Sequence, residues 1–577
     1  MSKYEKYFKA DGPLPEKTWA WNLYGAGVEN IGLNNQPEEF PIPEPADNQL
    51  LVRIDSVGMC FSDIKVIRQG RKHPKLYNRD LSKEPGRLGH EVSLTVIQVG
   101  KDLQDEYYPG QRLAVQPDIY QNGKSTAYGY TIPGGLTQFH LIGPEVLNTD
   151  DGACLLPLDD EISYAAASLL EPWGCVLAAY TQRRRLYPKE GGTMWILGKP
   201  GDSRGYQFSV GLDAPERIIL TDAPDGIKQL VAKSGAQVIE KNGLSMDDYA
   251  DLAEALTQGK GFDDIVVLDP RSAEAVSEIS RHIARRGTMN LIGMTPLDGL
   301  VKVDVGRLHY DYIVFLGTQE LDIAASYGEA RSRCELRPGG TAVFIGAGGP
   351  MGQMHVQRAL EMANGPKTLI ATEVNEDRLT ALRERFVPLA EQNGRKLHVI
   401  NPNTAEPDFM NIVMALTDGQ GADDVVVSVP SANLMAEAAT LMNPDGMLVL
   451  FAGVPNGTMA PFNLTNVYLH NAQFTGTSGL SIADQAAVME RASEGSLSPG
   501  RMVAAVGGID AALDAIDGVI NSKYPGKIVI FPQIQKLPLT GLDEMSEKMP
   551  EVAKYLGPGN VWTVESEAAL IEHYWEK

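Results

Sequence analysis

Short unbroken apolar runs recur through the second half of the chain: IVVL at 265–268, LIGM at 291–294, VVVSV at 425–429 and LVLF at 448–451. Runs of this kind predict strands of a parallel sheet that is buried on both faces. They also belong to a pattern that is written twice. GFDDIVVLDPRSA at 261–273 reappears as GADDVVVSVPSAN at 421–433. GTMNLIGM at 287–294 reappears as GMLVLFAGV at 446–454, and FLGTQELDIA at 315–324 as FTGTSGLSIA at 474–483. The offsets are 160, 159 and 159, so one whole domain is repeated. Each copy reads as strand, acidic pair, helix, then a strand ending in glycine. That is the pattern of a nucleotide-binding parallel sheet. The copies are expected at 191–336 and 337–522.

The first part of the chain has a different rhythm. QLLVRIDSVGMC, EVSLTVIQVG, QRLAVQP and GGLTQFHLI are short strands separated by Gly and Pro, which predicts a small barrel over about 19–165. Helical spacing takes over at 163–186 and breaks at Pro172. A last strand, PGKIVIFP at 525–532, and an acidic tail close the chain. The head domain is therefore expected to comprise residues 1–190, completed by 523–577.

Charge and composition narrow the function. A net charge of −23 over 577 residues argues against general nucleic-acid binding. No apolar run approaches the roughly 20 residues that span a bilayer, and MSKYEKYFKADGPLPEK lacks the apolar core of a secretory signal. The expected setting is the cytoplasm, without a membrane partner. Cys60, Cys154, Cys175 and Cys334 lie far apart, so neither a disulfide framework nor a four-cysteine zinc knot is expected.

Three fragments of the head domain carry chemistry: GMCFSD with Cys60, Ser62 and Asp63, GHE with His90 and Glu91, and EP with Glu171. Each is ordinary alone. Together, Cys60, His90 and Glu171 form a sulfur, nitrogen and oxygen donor set, and a catalytic zinc takes three protein ligands and keeps one position open. In this order, with VGKD, PGQRLAV, GGLTQF, SLLEP and the closing GKIVIF, the fragments resemble the zinc-dependent medium-chain dehydrogenase/reductase family. The similarity is to its sorbitol- and threonine-dehydrogenase-like branch and covers about residues 20–532 apart from one inserted block.

The resemblance implies an α/β protein with a GroES-like β-barrel catalytic domain and two tandem Rossmann-type, doubly wound parallel-sheet domains. It implies one catalytic Zn2+ per chain on Cys60, His90 and Glu171, with Glu91 as an assisting or exchanging ligand. Ser62 would relay the proton of the alcohol, and Asp63 would be structural. The family commonly has a histidine three residues after Ser62, where this chain has Lys65. A lysine relay would require burial to lower its pKa; a plain exposed lysine is the other reading. The stretch at 111–135 has no cysteine, so the structural zinc lobe of some relatives is absent.

Lys65, Arg68, Arg71, Lys72, Lys75, Arg79, Lys83 and Arg87 form a basic segment in an acidic chain. It is either a solvated loop or a site for a substrate phosphate. GAGGPMGQMHVQRAL at 346–360 resembles sorbose-1-phosphate reductases, a branch of the same family, and points towards the second reading.

The two sheets are unequal. In the second copy the strand TAVFI leads into GAGGPMG, with Gly346, Gly348, Gly349, Met351 and Gly352, and then into a helix. Glycines in such a turn permit positive φ and close approach to a pyrophosphate at the helix N-terminus. Glu373 ends the next strand and can accept both ribose hydroxyls, which favours NAD over NADP; Asn375 and Arg378 stand close by in sequence. In the first copy, Gly198, Gly201 and Gly205 are wrongly spaced, Pro200 removes a donor and Asp202 adds a negative charge. A short helix broken at Gly211 is expected there, with Asp222 in the place of Glu373. The first copy therefore reads as a degenerate nucleotide domain, with Lys199 and Arg204 leaving a different phosphate ligand open.

The expected function is a zinc-dependent, NAD-linked interconversion of a secondary alcohol of a polyol, sugar or sugar phosphate with its ketone. A homodimer or homotetramer is implied by the resemblance. Two alternatives stay open: a zinc-free quinone or enoyl-type reductase, and a catalytically silent nucleotide sensor.

Overall fold

The computed structural model describes residues 1–181, 184–331 and 333–576. The chain divides into two compact units. One comprises residues 1–177, 349–354 and 480–577, and the other residues 178–348 and 355–479.

The first unit is built on a mixed sheet. Strand Leu50–Met59 lies between Glu91–Val99 and Lys527–Phe531 and also pairs with Phe139–Ile142. Arg112–Val115 and Leu155–Pro157 extend the sheet on one side, and Val503–Gly508 and Thr540–Gly541 on the other. The registers place Gly58 opposite both Glu91 and Val529, so strand Lys527–Phe531 is brought beside the Cys60 and His90 motifs. Ile54, Val57, Ile64, Leu94, Leu113, Ile528 and Ile530 share the core beneath.

The head domain regains the chain earlier than the sequence pattern suggests. Residues 480–522, expected with the second nucleotide domain, lie in the first unit, where Val503–Gly508 pairs parallel with Lys527–Phe531. VAAVGG is too small and glycine-rich to stand out as a strand on its own; its burial comes from the neighbouring strand. Glu567, on helix Val564–Tyr574, accepts bonds from the Tyr164 and Ala165 amides at 2.6 and 2.9 Å, so the tail docks on the helix start at 164.

The second unit contains two six-stranded parallel sheets with the same order. In the first, the order is 237–240, 217–221, 193–197, 262–268, 283–292 and 314–318. In the second it is 396–400, 368–372, 341–345, 422–427, 442–450 and 473–475. The order reverses beside the first strand of each copy, where an open α/β sheet binds its ligands. The duplication extends to buried ion pairs. Arg185 and the Lys189 amide donate to Asp264, each at 2.9 Å. Arg333 and the Arg337 amide donate to Asp424 at 2.6 and 2.7 Å. The preceding aspartates, Asp263 and Asp423, accept from the Thr193 and Thr341 amides at 2.9 and 2.8 Å.

The copies diverge after their first strands. Helix Pro350–Glu361 follows the second glycine turn, whereas no helix forms between Leu197 and Arg217. The short helix expected there is absent; Pro200 and the four glycines Gly198, Gly201, Gly205 and Gly211 leave little that holds a helix. Among the described residues, no helix is long and apolar enough to cross a membrane.

Candidate metal and dinucleotide sites

Cys60 is the N-cap of helix Phe61–Gln69, held there by a short polar lock. The Cys60 amide donates to Asp63 Oδ2 at 3.0 Å and the Gly89 amide to Asp63 Oδ1 at 3.2 Å. Asp63 Oδ1 also lies 3.3 Å from His90 Nδ1, which commits that nitrogen to the carboxylate and leaves Nε2 for a ligand. Burial opposes the charge on Asp63, but His90 and the two amides outweigh it and hold its pKa below the usual range. The structural role expected of Asp63 is the one it takes.

One ligand atom from each of Cys60, His90 and Glu91 lies within 4.8 Å of the other two. Glu91 Oε2 is buried and has no hydrogen-bond partner, and its Oε1 accepts from Lys527. A soft sulfur, an imidazole nitrogen oriented from behind, and an orphaned carboxylate oxygen are a donor set that suits zinc. Gly58 makes room for it, since a Cβ there would sit 2.2 Å from Glu91 Oε2.

Glu171 stands outside this closest group. It is buried in helix Leu170–Ala178, with Cys175 one turn further on and its thiol 3.6 Å from Glu171 Oε1. Burial pushes the Glu171 carboxyl up to about 7, with the Glu91 charge adding to the shift against His90 and Lys527. Burial and the same carboxylates push the Cys175 thiol well above its usual value. Burial alone would lower the Lys527 pKa, but Glu91 reverses the sign.

Cys175, Lys527 and Tyr130 were not singled out in the sequence. Cys175 sits four residues after Glu171 on one helical face, a signal that was available. Lys527 is brought in by strand pairing and carries no local signal. Tyr130 is half-buried and lies with its ring 5.5 Å from those of both His90 and His73. Lys65 is exposed, so the desolvation that a relay lysine needs is missing.

The basic segment does not act as a block. Lys75 pairs with Asp118 at 3.3 Å and lies over the Tyr130 ring at 5.0 Å. Arg79 donates to the Tyr130 carbonyl at 2.7 Å, and Arg87 to Asn22 at 3.2 Å. Arg68, Arg71 and Lys72 line a separate recess of about 500 Å³ with Tyr24 and Ser82. That recess is at the far end of the helix from Cys60, roughly 12 Å away at the helical rise per residue.

In the second sheet, Gly346 has φ +75°, and a Cβ there would meet Val429 at 2.3 Å. A Cβ on Gly348 would sit 2.2 Å from Glu373 Oε2, so this glycine lets the acid approach the loop. Gly349 faces open space, and Met351 and Gly352 stand in the first turn of helix Pro350–Glu361. Glu373 Oε1 accepts from the Val374 and Asn375 amides at 2.8 and 3.0 Å, and Arg378 lies 3.8 Å from Oε2.

A GroES-like barrel sheet with a Cys–His–Glu cluster, and a doubly wound sheet with a glycine turn, define a dehydrogenase of the zinc-binding class. The alcohol dehydrogenase GroES-like domain family matches residues 46–147, and the zinc-binding dehydrogenase family matches residues 350–494. The chain belongs to the zinc-dependent medium-chain dehydrogenase/reductase family. YggP of Escherichia coli (strain K12) is 30% identical over 305 residues, covering 48% of this chain and 70% of that protein. Mannitol-1-phosphate 5-dehydrogenase of Aliivibrio fischeri is 24% identical over 549 residues, 93% of this chain and 95% of that one. L-sorbose 1-phosphate reductase of Klebsiella pneumoniae is 23% identical over 568 residues, 97% and 98% of the two chains.

Proposed function

We propose that the protein is a zinc-dependent, NAD-linked dehydrogenase that interconverts a secondary alcohol of a polyol phosphate or sugar phosphate with its ketone. The observation that carries the reading is the convergence of Cys60, His90 and Glu91 within 4.8 Å, with Glu91 Oε2 lacking a partner. The substrate class follows the names of the two relatives that match along nearly their whole length.

Cys60, His90 and Glu91 would hold zinc, with Glu171 as the alternative ligand behind them. Bound zinc supplies a Lewis acid that lowers the pKa of an alcohol hydroxyl, and NAD supplies the hydride acceptor. Asp63 fixes the His90 tautomer. Ser62 takes the hydroxyl proton, and the exposed Lys65 is not its relay partner. Lys75 stands over the Tyr130 ring and is the basic residue of the segment best placed for a phosphate. Glu373 receives the adenosine ribose, and the turn at 346–352 receives the pyrophosphate.

The test is a panel of phosphorylated and free polyols and ketoses, read by NADH absorbance with wild type and Cys60→Ala. The expected result is turnover of a phosphorylated substrate by wild type alone, with NADH binding kept in the variant. Equal turnover by the variant would end the zinc reading. Equal use of free and phosphorylated substrates would end the phosphate reading.

A further inference from the structure

The first nucleotide-type block, residues 191–336, has lost the features of a cofactor domain and gained those of a partner. Val301–Asp304 and Met459–Phe462 are the same element of the two copies. Each follows the fifth strand of its sheet and is followed by a short helix, Val305–Tyr310 or Thr465–His470. They pair antiparallel, with Val301 opposite Phe462 and Asp304 opposite Met459. The first residue of each strand thus faces the last of the other, as in an isologous two-fold interface.

The surrounding contacts close the same face. The Val305 amide donates to the Thr458 carbonyl at 2.9 Å and the Gly457 amide to Asp304 Oδ2 at 2.8 Å. Tyr468 Oη donates to the Thr295 carbonyl at 2.6 Å, and the Leu297 amide to Thr465 Oγ1 at 3.0 Å. Val303, Leu308 and Phe315 share one apolar core with Phe462, Val467 and Phe474.

The place where the first sheet would hold a pyrophosphate is filled by its own charges. Asp202 and Asp269 follow the carboxyl ends of the two central strands, and Arg204 bridges them at 2.6 and 2.8 Å. Arg271 adds a contact to Asp269 at 3.0 Å. No helix follows Asp202 before strand Arg217–Thr221, and Asp222, at φ +49°, accepts from the Gly243 amide at 3.0 Å. An anion entering here would displace two carboxylates from Arg204.

We infer that residues 191–336 are a built-in stand-in for a second copy's nucleotide domain, occupying the two-fold face of residues 338–479 and leaving one dinucleotide site per chain. The site count rests on the functional reading above; the occupied face does not. A second copy of the chain cannot pair through Met459–Phe462 while the first block is seated there.

Two measurements test this on the full chain. The first is NADH binding stoichiometry by fluorescence titration for wild type and Gly348→Val, whose side chain would strike Glu373. One site in wild type and none in the variant is expected. Two sites in wild type, or one remaining in the variant, would overturn the single-site inference. No binding by wild type would instead refute the NAD reading and leave the face to the second measurement. That measurement is amide hydrogen exchange at 301–304 and 459–462 from micromolar to nanomolar protein. Concentration-independent protection is expected. Protection lost on dilution would show that the pairing forms between chains and would overturn the inference.

Discussion

Asp63 Oδ1 lies 3.3 Å from His90 Nδ1, and both side chains are buried. The same carboxylate caps the helix that begins after Cys60, so one residue positions two proposed ligands. Outer partners of this kind usually contribute 10–100-fold to metal affinity. Asp63→Ala is expected to lower zinc affinity by about that factor. Zinc retained against a graded chelator series, read by metal analysis, checks it; unchanged retention would remove Asp63 from the site.

Lys527 and Glu91 form a fully buried ion pair in the first unit. Removing one member of such a pair typically costs about 3–5 kcal/mol because the other charge is left uncompensated. Lys527→Met is therefore expected to lower the urea midpoint of metal-stripped protein. Adding Glu91→Gln should return much of the loss. If the single variant unfolds with wild-type stability, the pair has no structural role.

In the proposed function Glu373, which lies beside Gly348, is the residue expected to set a preference for NAD. Glu373→Ser removes the repulsion of a 2′-phosphate while Arg378 stays in place. The ratio of kcat/KM for NADP over NAD should rise by at least about tenfold, equivalent to roughly 1.4 kcal/mol. An unmoved ratio would place cofactor selection elsewhere.

Burial raises the Glu567 carboxyl from 4.5 to about 7, although the Ala165 and Tyr164 amides and Trp562 pull it down. The folded pKa is above the unfolded one, so the contribution to stability is present below the unfolded pKa and is lost as pH rises through the folded one. Wild type should lose stability relative to Glu567→Gln between about pH 4.5 and 7 and then level off. Thermal midpoints of the two proteins across that range decide it. A flat difference would mean that the amides keep the carboxylate ionised in both states.

Much of this protein was legible in its sequence because it is carried by local signals. The strand runs at 265–268 and 425–427 have no polar break, the glycine turn at 346–352 follows a strand, and the repeat fixes two sheets of one topology. Cys60 and His90 were also legible as candidate donors, because metal chemistry restricts the residue types, but the sequence completed the set with Glu171, whereas the closest group in space includes Glu91. Other features depend on long-range placement. Lys527 meets Glu91 through strand pairing across more than four hundred residues. Val503–Gly508 is a strand because of what it lies against, and Glu171 stands outside the closest ligand group, with Cys175 of its own helix beside its carboxylate. The sequence alone determined that the two nucleotide-type sheets are unequal, since glycine spacing is a local property. Only the tertiary structure decided what the lesser one does, because the two-fold register of 301–304 on 459–462 exists between elements and not within either.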